Sequence, residues 1–223
     1  MMNKTHTKVG LVTTLWLGFF GLIPVIVAYI ASTLPDIDHH NSRIRKKATM
    51  TSDKTMQTLT FIFVGLVFIY LYVLTHLLIY LYAALLLFGI PCFDHRGFTH
   101  SLLGYTIFTF FIYMVSNAVH EQLMNIGIYF LPHYIVIPFA IGYGMHLLMD
   151  VLTVQGIPLF YPFSVKKYSW KLFRTAQRGE KFLRFVMAIN LIILVFYWTW
   201  HCFANQISFK DIMLAHNFYT TFI

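Results

Sequence analysis

Apolar residues in this chain form long runs, which short polar segments separate. The runs cover residues 9–34, 59–90, 101–116, 132–150 and 185–204. About 20 apolar residues are enough for a helix to cross the hydrocarbon core of a bilayer. The pattern therefore predicts an all-α fold, a polytopic bundle of membrane helices in which the last run forms the final span.

Two of these runs contain features that predict a hairpin of two shorter helices. Residues 18–24 place glycines and a proline, which weaken helices, near the middle of the first run. A hairpin would return Asp36 to the side on which His6 lies, whereas one straight helix would separate them by about 40 Å at about 1.5 Å per residue. The second run is longer than one crossing needs. It forms either a hairpin that turns near Thr75 and His76 or a single strongly tilted helix.

The segments between the runs have compositions typical of loops and interfaces. Residues 41–58 are polar and basic, which predicts a surface loop with a helix beginning near Asp53. Residues 117–125 are polar enough to predict a second loop. Residues 151–162 contain glycine and proline and predict a structured loop. Residues 164–184 are basic and amphipathic, which is typical of a segment at the membrane interface.

Composition and charge agree with a membrane location. The chain is 58% hydrophobic and carries a net charge of +8, whereas soluble domains are roughly 45–50% apolar. Most of its lysines and arginines lie in residues 4–8, 43–54 and 166–184. If the hairpins go in and return, these segments share one face, which the positive-inside rule makes cytoplasmic. We therefore expect a multi-pass protein of the cytoplasmic (inner) membrane that contacts anionic lipid.

Other classes of partner are not indicated. A nucleic-acid interface would need a folded basic face with interleaved aromatic residues, and the sequence lacks one. Cys92 and Cys202 form no CxxC pair, so neither a zinc finger nor a disulfide framework is predicted.

Three short polar segments at the ends of apolar runs carry the candidate chemistry. Ionisable residues at membrane depth are costly and usually mark function. The residues in these segments that can bind a metal ion or an anion are Asp36, Asp38, His39, His95, Arg96, His100, His146 and Asp150.

Two of the three segments have spacings that suit a metal ion. His146 and Asp150 are four residues apart, which places both on one face of a helix. Asp36 and Asp38 alternate and can converge on one cation or a pair of cations, and the imidazole of His39 suits zinc, manganese or iron. Taken singly, the first pair also fits a surface ion pair, and the second fits a helix end with aspartate turns.

The central segment has a spacing typical of a turn that leads into a helix. His95 and His100 are five residues apart, and Thr99 or Ser101 could cap the helix that follows. The planar fork of Arg96 suits a phosphate or a carboxylate. The alternative for this arginine is an anchor in the lipid headgroups.

A mixed set of histidines and carboxylates with an open coordination position favours hydrolysis. Such a metal site lowers the pKa of water toward about 7 and polarises a phosphoryl or acyl oxygen. Two alternatives stay open. The metal could brace the helices without catalysis, or the protein could transport a metal or an anion, although transport sites usually place carboxylates near the middle of the membrane.

The three polar segments resemble those of the YdjM-like family of membrane-bound metal-dependent hydrolases. The matching stretches are residues 34–39, 95–101 and 146–158, in the same order and rough spacing. Thr5-His6 and Glu180-Lys181 match two further family motifs. The resemblance covers about residues 5–185 of a single domain that spans residues 1–223. The family is in turn distantly similar to zinc-dependent phospholipases C and nucleases, which cleave phosphoesters.

The resemblance implies a function and a set of site residues. The implied substrate is a phosphoester, with a lipid favoured because the site opens at a membrane. The implied cofactor is a divalent metal, zinc or alternatively manganese, in an open number of ions. Either Asp38 or Glu180 would be the general base, and Arg96 would hold the phosphate charge. The implied metal ligands or their immediate neighbours are His6, Asp36, Asp38, His39, His95, His100, His146, Asp150 and Glu180.

Overall fold

The computed structural model describes residues 3–92, 96–125, 131–174 and 177–205. Within these ranges the chain forms eight α-helices and short 3-10 turns, and it contains isolated β-bridges but no strand. The predicted all-α fold is therefore confirmed. The helices are α1 (Asn3–Trp16), α2 (Leu22–Ala31), α3 (Arg43–Thr49), α4 (Lys54–Thr75), α5 (Leu78–Gly89), α6 (Leu102–Asn125), α7 (His133–Val151) and α8 (Arg178–Ala204).

Four of these helices, α4, α6, α7 and α8, are long and apolar enough to cross a membrane. Helix α2 is apolar but has only 10 residues, and α5 has only 12. At about 1.5 Å per residue, neither reaches across a hydrocarbon core of about 30 Å. The chain thus combines full-length spans with shorter helices, as the predicted helical hairpins require.

The first predicted hairpin is confirmed. Helix α1 ends at Trp16 and α2 begins at Leu22, and the two helices pack against each other. Gly18 and Gly21 in the turn have φ values of 85° and 137°, a region that side chains disfavour. The hairpin returns the residues after α2 to the end of the molecule at which His6 lies.

The second predicted hairpin is also confirmed, and a single tilted helix is excluded. Helix α4 ends at Thr75, and His76 terminates it in the left-handed conformation with φ 55°. Helix α5 begins two residues later and packs along α4.

The prediction of a loop at residues 41–58 is wrong in part. This segment contains the short helix α3, and the side chain of Ser42 accepts a hydrogen bond from the backbone N–H of Arg45 at its start. The predicted helix start near Asp53 is confirmed, because Oδ1 of Asp53 accepts a hydrogen bond from the N–H of Met56 at 2.8 Å.

The prediction of a loop at residues 117–125 is wrong. Helix α6 continues through this segment to Asn125. The segment is polar but contains neither glycine nor proline, so polarity alone does not end the helix. The amide of Asn117 donates to the carbonyl oxygen of Tyr113 at 2.8 Å, within the helix itself.

The described chain after α7, up to residue 174, is a folded loop, as predicted for residues 151–162. Backbone hydrogen bonds join Val154 to Phe173 at 3.0 Å and Trp170 to Val151 at 2.8 Å. Residues 164–174 are not helical; they run back along the loop that follows α7. The next helix in the described residues, α8, begins at Arg178.

Helix α7 lies at the centre of the bundle, in contact with α1, α2 and α6. Of its apolar span, 56% is buried, compared with 11–17% for the other three spans. Small residues permit the close approach of α7 to α2. A Cβ atom at Gly142 would lie 2.6 Å from the carbonyl oxygen of Ala28. Membrane helices commonly pack through small residues in this way. The end of α7 is therefore held tightly between α1 and α2.

Candidate metal centre

His146 and Asp150 share one buried face near the end of α7, as their spacing predicts. Their side chains are 0% and 3% exposed, and Nε2 of His146 lies 3.6 Å from Oδ2 of Asp150. The other ring nitrogen, Nδ1, lies 2.7 Å from the carbonyl oxygen of Ser32 at the end of α2. A carbonyl can only accept, so Nδ1 carries the proton and Nε2 presents a lone pair to the site.

The central polar segment supplies His100. Residues Phe98–His100 form a 3-10 turn that leads into α6. Ser101, rather than Thr99, caps the helix, because its hydroxyl accepts a hydrogen bond from the N–H of Gly104 at 3.0 Å. The imidazole of His100 is fully buried, and its Nε2 lies 3.5 Å from Oδ2 of Asp150.

Asp36 approaches the same point from the 3-10 turn Leu34–Asp38. Its Oδ1 lies 3.8 Å from Nε2 of His100 and 3.8 Å from Nε2 of His146. Four ligand atoms from three parts of the chain thus come together, two from aspartates and two from histidines. The facing pairs of nitrogen and oxygen atoms are 3.5–3.8 Å apart, slightly more than the roughly 3.3 Å between neighbouring ligands of a tetrahedral zinc ion.

His6 extends the cluster from α1. Its ring stacks on that of His146 with centroids 3.9 Å apart, and its Nε2 lies 3.4 Å from Oδ1 of Asp150. The two oxygens of Asp150 therefore face different histidines. The result is two overlapping groups, each with ligand atoms within 4.8 Å of one another. One group is His6, His146 and Asp150, and the other is Asp36, His100 and His146.

Asp38 lies behind His100 and belongs to neither group. Its Oδ2 is 3.4 Å from Nδ1 of His100, and it accepts hydrogen bonds from the hydroxyl of Thr99 at 2.6 Å and the backbone N–H of Arg96 at 3.0 Å. Arg45 donates to the carbonyl oxygen of Asp38 at 3.1 Å. Burial lowers the pKa of the Arg45 guanidinium, and the charge of Asp38 opposes that shift.

Glu180 and His39 also lie outside both groups. Glu180 is buried at the start of α8 and accepts a hydrogen bond from the hydroxyl of Thr5 at 2.8 Å, which places it one residue from His6 along α1. His39 is half-buried, and its ring stacks on His40 with centroids 5.2 Å apart.

The remaining two predicted residues come from the central segment. Arg96 meets the site through its backbone N–H, and its φ of 62° is unusual for a residue with a side chain. His95 lies outside the described residues. Its role as a ligand therefore stays a prediction.

Several residues that hold the site were not predicted from the sequence. Tyr143 donates from its hydroxyl to the carbonyl oxygen of Thr99 at 2.6 Å, which ties α7 to the turn that carries His100. The sequence could have indicated Tyr143, because it lies three residues before His146 and therefore on the same helix face. Ser32 gives no such signal, because its backbone carbonyl makes the contact with His146.

A cavity of about 990 Å³ opens beside Asp36. Its walls come from α1, from the end of α2, from the following turn and from α3. The side chain of Asp36 is 23% exposed, whereas those of the other four residues in the two groups are at most 3% exposed. The cluster is thus closed on most sides and open toward this cavity. The residues that line the cavity are Lys4, Thr7, Lys8, Tyr29, Ile30, Thr33, Asp36, His39, Ser42, Arg43, Ile44, Lys47 and Ala48.

Comparison with known proteins identifies the family. A family model described as YdjM inner membrane protein matches residues 1–214. The uncharacterized protein YvsG of Bacillus subtilis (strain 168) is 26% identical over 170 residues, which are 74% of this chain and 76% of YvsG. Two further relatives are the inner membrane proteins YdjM of Escherichia coli (strain K12) and of Shigella flexneri. Each is 31% identical to this chain over 96 residues, which are 42% of this chain and 42% of the relative. No solved structure gives a significant match. The chain belongs to the YdjM inner membrane protein family.

Proposed function

We propose that this membrane protein is a divalent-metal-dependent hydrolase that cleaves a phosphoester. The observation that carries the proposal is the convergence of Asp36, His100, His146 and Asp150, whose facing nitrogen and oxygen atoms lie 3.5–3.8 Å apart. These residues come from the end of α7 and from two 3-10 turns, so their meeting depends on how the bundle packs. Nitrogen and carboxylate donors together suit zinc, and manganese is the alternative.

The protonation of the cluster supports a bound cation. Nε2 of His146 is buried and has no hydrogen-bond partner among the described residues, while Nδ1 donates to Ser32. A buried polar atom left without a partner costs about 1–3 kcal/mol. Binding an ion at Nε2 would remove this cost. The hydrogen bond at Nδ1 also fixes the orientation of the ring, as outer partners of metal ligands commonly do.

The opening of the cluster at Asp36 favours catalysis over a purely structural ion. Structural zinc sites are closed, whereas catalytic sites keep one position for water or substrate. A bound divalent ion would supply Lewis-acid polarisation of a phosphoryl oxygen and would acidify water. The carboxylates lie at helix ends and turns, which supports hydrolysis over transport through the middle of the membrane.

The protein residues would divide the work around this ion. Asp36, His100, His146 and Asp150 would hold it, with His6 as a further ligand or as part of a second site. Asp38 and Glu180 remain the two candidates for the general base, and Arg96 for the group that holds phosphate charge. We further propose that the site faces the cytoplasm, because the basic segments next to it favour that side.

Metal content tests the first part of the proposal. The full-length protein, purified in detergent, is analysed by elemental mass spectrometry beside the double variant Asp36→Ala, His146→Ala. We expect stoichiometric zinc or manganese in the wild type and its loss in the variant. The matched control is Asp53→Ala, His120→Ala, which removes the same residue types away from the cluster and should keep the metal.

Turnover tests the second part. Wild-type protein that retains metal is incubated with a panel of lipid and water-soluble phosphoesters, and the release of phosphate or alcohol is measured before and after chelation. Metal-dependent release that the double variant lacks would support a hydrolase. Stoichiometric metal without any turnover would indicate a structural ion, and no metal after incubation with divalent ions would contradict the proposal altogether.

A further inference from the structure

We propose that the cavity beside Asp36 binds a lipid whose headgroup ends in a phosphomonoester, and that Lys4, Lys8, Arg43 and Lys47 bind its phosphate. The inference rests on the proposed function in one respect: it names the substrate class for the same site.

The charge of the cavity suits a dianion. Lys4 and Lys8 are four residues apart on α1, and Arg43 and Lys47 are four residues apart on α3, so each helix directs one face with two cations at the cavity. Among the described residues of the lining, Asp36 is the single carboxylate. The cavity therefore has four positive side chains against one negative. A phosphomonoester carries roughly −1.5 to −2 charges at neutral pH, so it matches this excess better than a singly charged phosphodiester does.

One wall of the cavity is apolar and continues onto the outside of the bundle. Tyr29 and Ile30 line the cavity, and they belong to an exposed apolar stripe on α2 that also includes Leu22 and Ile26. These four side chains are 46–51% exposed and lie on one helix face. An exposed apolar face on a membrane protein contacts acyl chains. The stripe thus offers a path for a lipid tail whose headgroup occupies the cavity, which a water-soluble phosphate would not need.

Asp36 connects the cavity to the metal cluster. It lines the cavity, and its Oδ1 lies 3.8 Å from the ring nitrogens of His100 and His146. A phosphate held by the four cations would therefore lie next to the candidate ligands. In the hydrolysis that follows, the bond between phosphorus and the lipid oxygen breaks, and a new bond forms between phosphorus and the water oxygen. A water proton passes to the lipid oxygen, so the products are a lipid alcohol and inorganic phosphate.

Photo-crosslinking tests the cavity independently of turnover. The full-length protein is placed in phosphatidylcholine nanodiscs that contain a trace of phosphatidic acid with a photoactivatable acyl chain, after treatment with a chelator. We expect crosslinked peptides from α2, whose exposed apolar stripe is the proposed path of the tail. Unlabelled phosphatidic acid should compete about tenfold better than phosphatidylglycerol, a singly charged phosphodiester, because its phosphomonoester places up to one further negative charge among the four cations.

Matched variants identify the groups that bind. The double variant Lys8→Gln, Arg43→Gln should reduce crosslinking about 30-fold, since two cations are lost. The control Lys46→Gln, Lys54→Gln removes the same charge from neighbouring positions outside the lining and should leave crosslinking unchanged. Ile30→Ser should also weaken it, whereas Ile62→Ser on the exposed face of α4 should not.

Three results would overturn the inference: equal competition by phosphatidylglycerol, equal competition by glycerol 3-phosphate, or an equal loss in the control variant. These outcomes are separate from those of the proposed function. Selective crosslinking in a protein that binds no metal would support the lipid site and contradict the hydrolase. Metal-dependent turnover with unselective crosslinking would support the hydrolase and contradict the lipid site.

Discussion

Oδ2 of Asp38 lies 3.4 Å from Nδ1 of His100, on the side of the ring that faces away from the ligand cluster. The same oxygen accepts a hydrogen bond from Thr99 at 2.6 Å, so the carboxylate is itself held in place. A carboxylate behind a histidine ligand fixes the ring and raises its basicity. This geometry supports a positioning role for Asp38 at His100.

The first prediction concerns this carboxylate. Asp38→Asn keeps the shape of the side chain but removes its charge, so metal affinity should fall about 10–100-fold. The measurement is a competition titration with a chromophoric chelator. Asp53→Asn is the control: it caps α4 from outside the cluster, and asparagine caps as well as aspartate does. An unchanged affinity in Asp38→Asn would remove the residue from any role at His100.

The second prediction compares two glycines on α7. A Cβ atom at Gly142 would lie 2.6 Å from the backbone oxygen of Ala28, which cannot rotate away, whereas one at Gly144 would meet only the Tyr105 ring at 3.6 Å. Gly142→Ala should therefore force α2 from α7 and destabilise the protein by about 1–3 kcal/mol. Because Ser32 at the end of α2 orients His146, metal affinity should fall as well.

Gly144→Ala provides the matched control. It introduces the same methyl group into the same helix and should be neutral or stabilising by up to about 1 kcal/mol. Thermal unfolding in detergent and metal content measure both variants. Equal effects of the two substitutions would show that the crossing of α2 and α7 does not determine the geometry of the cluster.

The sequence predicted the parts of this architecture that depend on local rules. Glycines and a proline between residues 18 and 24 weaken a helix wherever they occur, so the first hairpin could be inferred, and with it the approach of His6 to Asp36. The spacing of His146 and Asp150 likewise follows from helix geometry alone.

Other features depend on tertiary contacts that no local pattern contains. The carbonyl oxygen of Ser32 orients His146 only because α2 and α7 cross closely at Gly142 and Ala28. Asp38 and Asp36 are two residues apart in one 3-10 turn, yet one lies behind His100 and the other faces the cluster. Similar residue types in one segment therefore take different positions, and the sequence could not separate them.

The third prediction concerns membrane topology. If each hairpin goes in and returns, Arg43 and Lys167 lie on one face and His76 lies on the other. In a background lacking Cys92 and Cys202, single cysteines at these three positions are tested with a membrane-impermeant maleimide in whole cells and in inverted vesicles. We expect positions 43 and 167 to react together and position 76 to react from the opposite side. Opposite labelling of 43 and 167 would contradict the common face and the cytoplasmic site.

The last prediction separates the backbone of Arg96 from its side chain. The backbone N–H donates to Asp38 at 3.0 Å, and any substitution except proline keeps this donor. Arg96→Lys should therefore leave metal affinity unchanged. If the guanidinium holds phosphate charge, loss of its two-pronged geometry should lower turnover about tenfold, which corresponds to roughly 1.4 kcal/mol. Arg178→Lys at the start of α8 is the control and should alter neither quantity. Wild-type turnover in Arg96→Lys would assign the phosphate charge to other cations, namely the four that line the cavity beside Asp36.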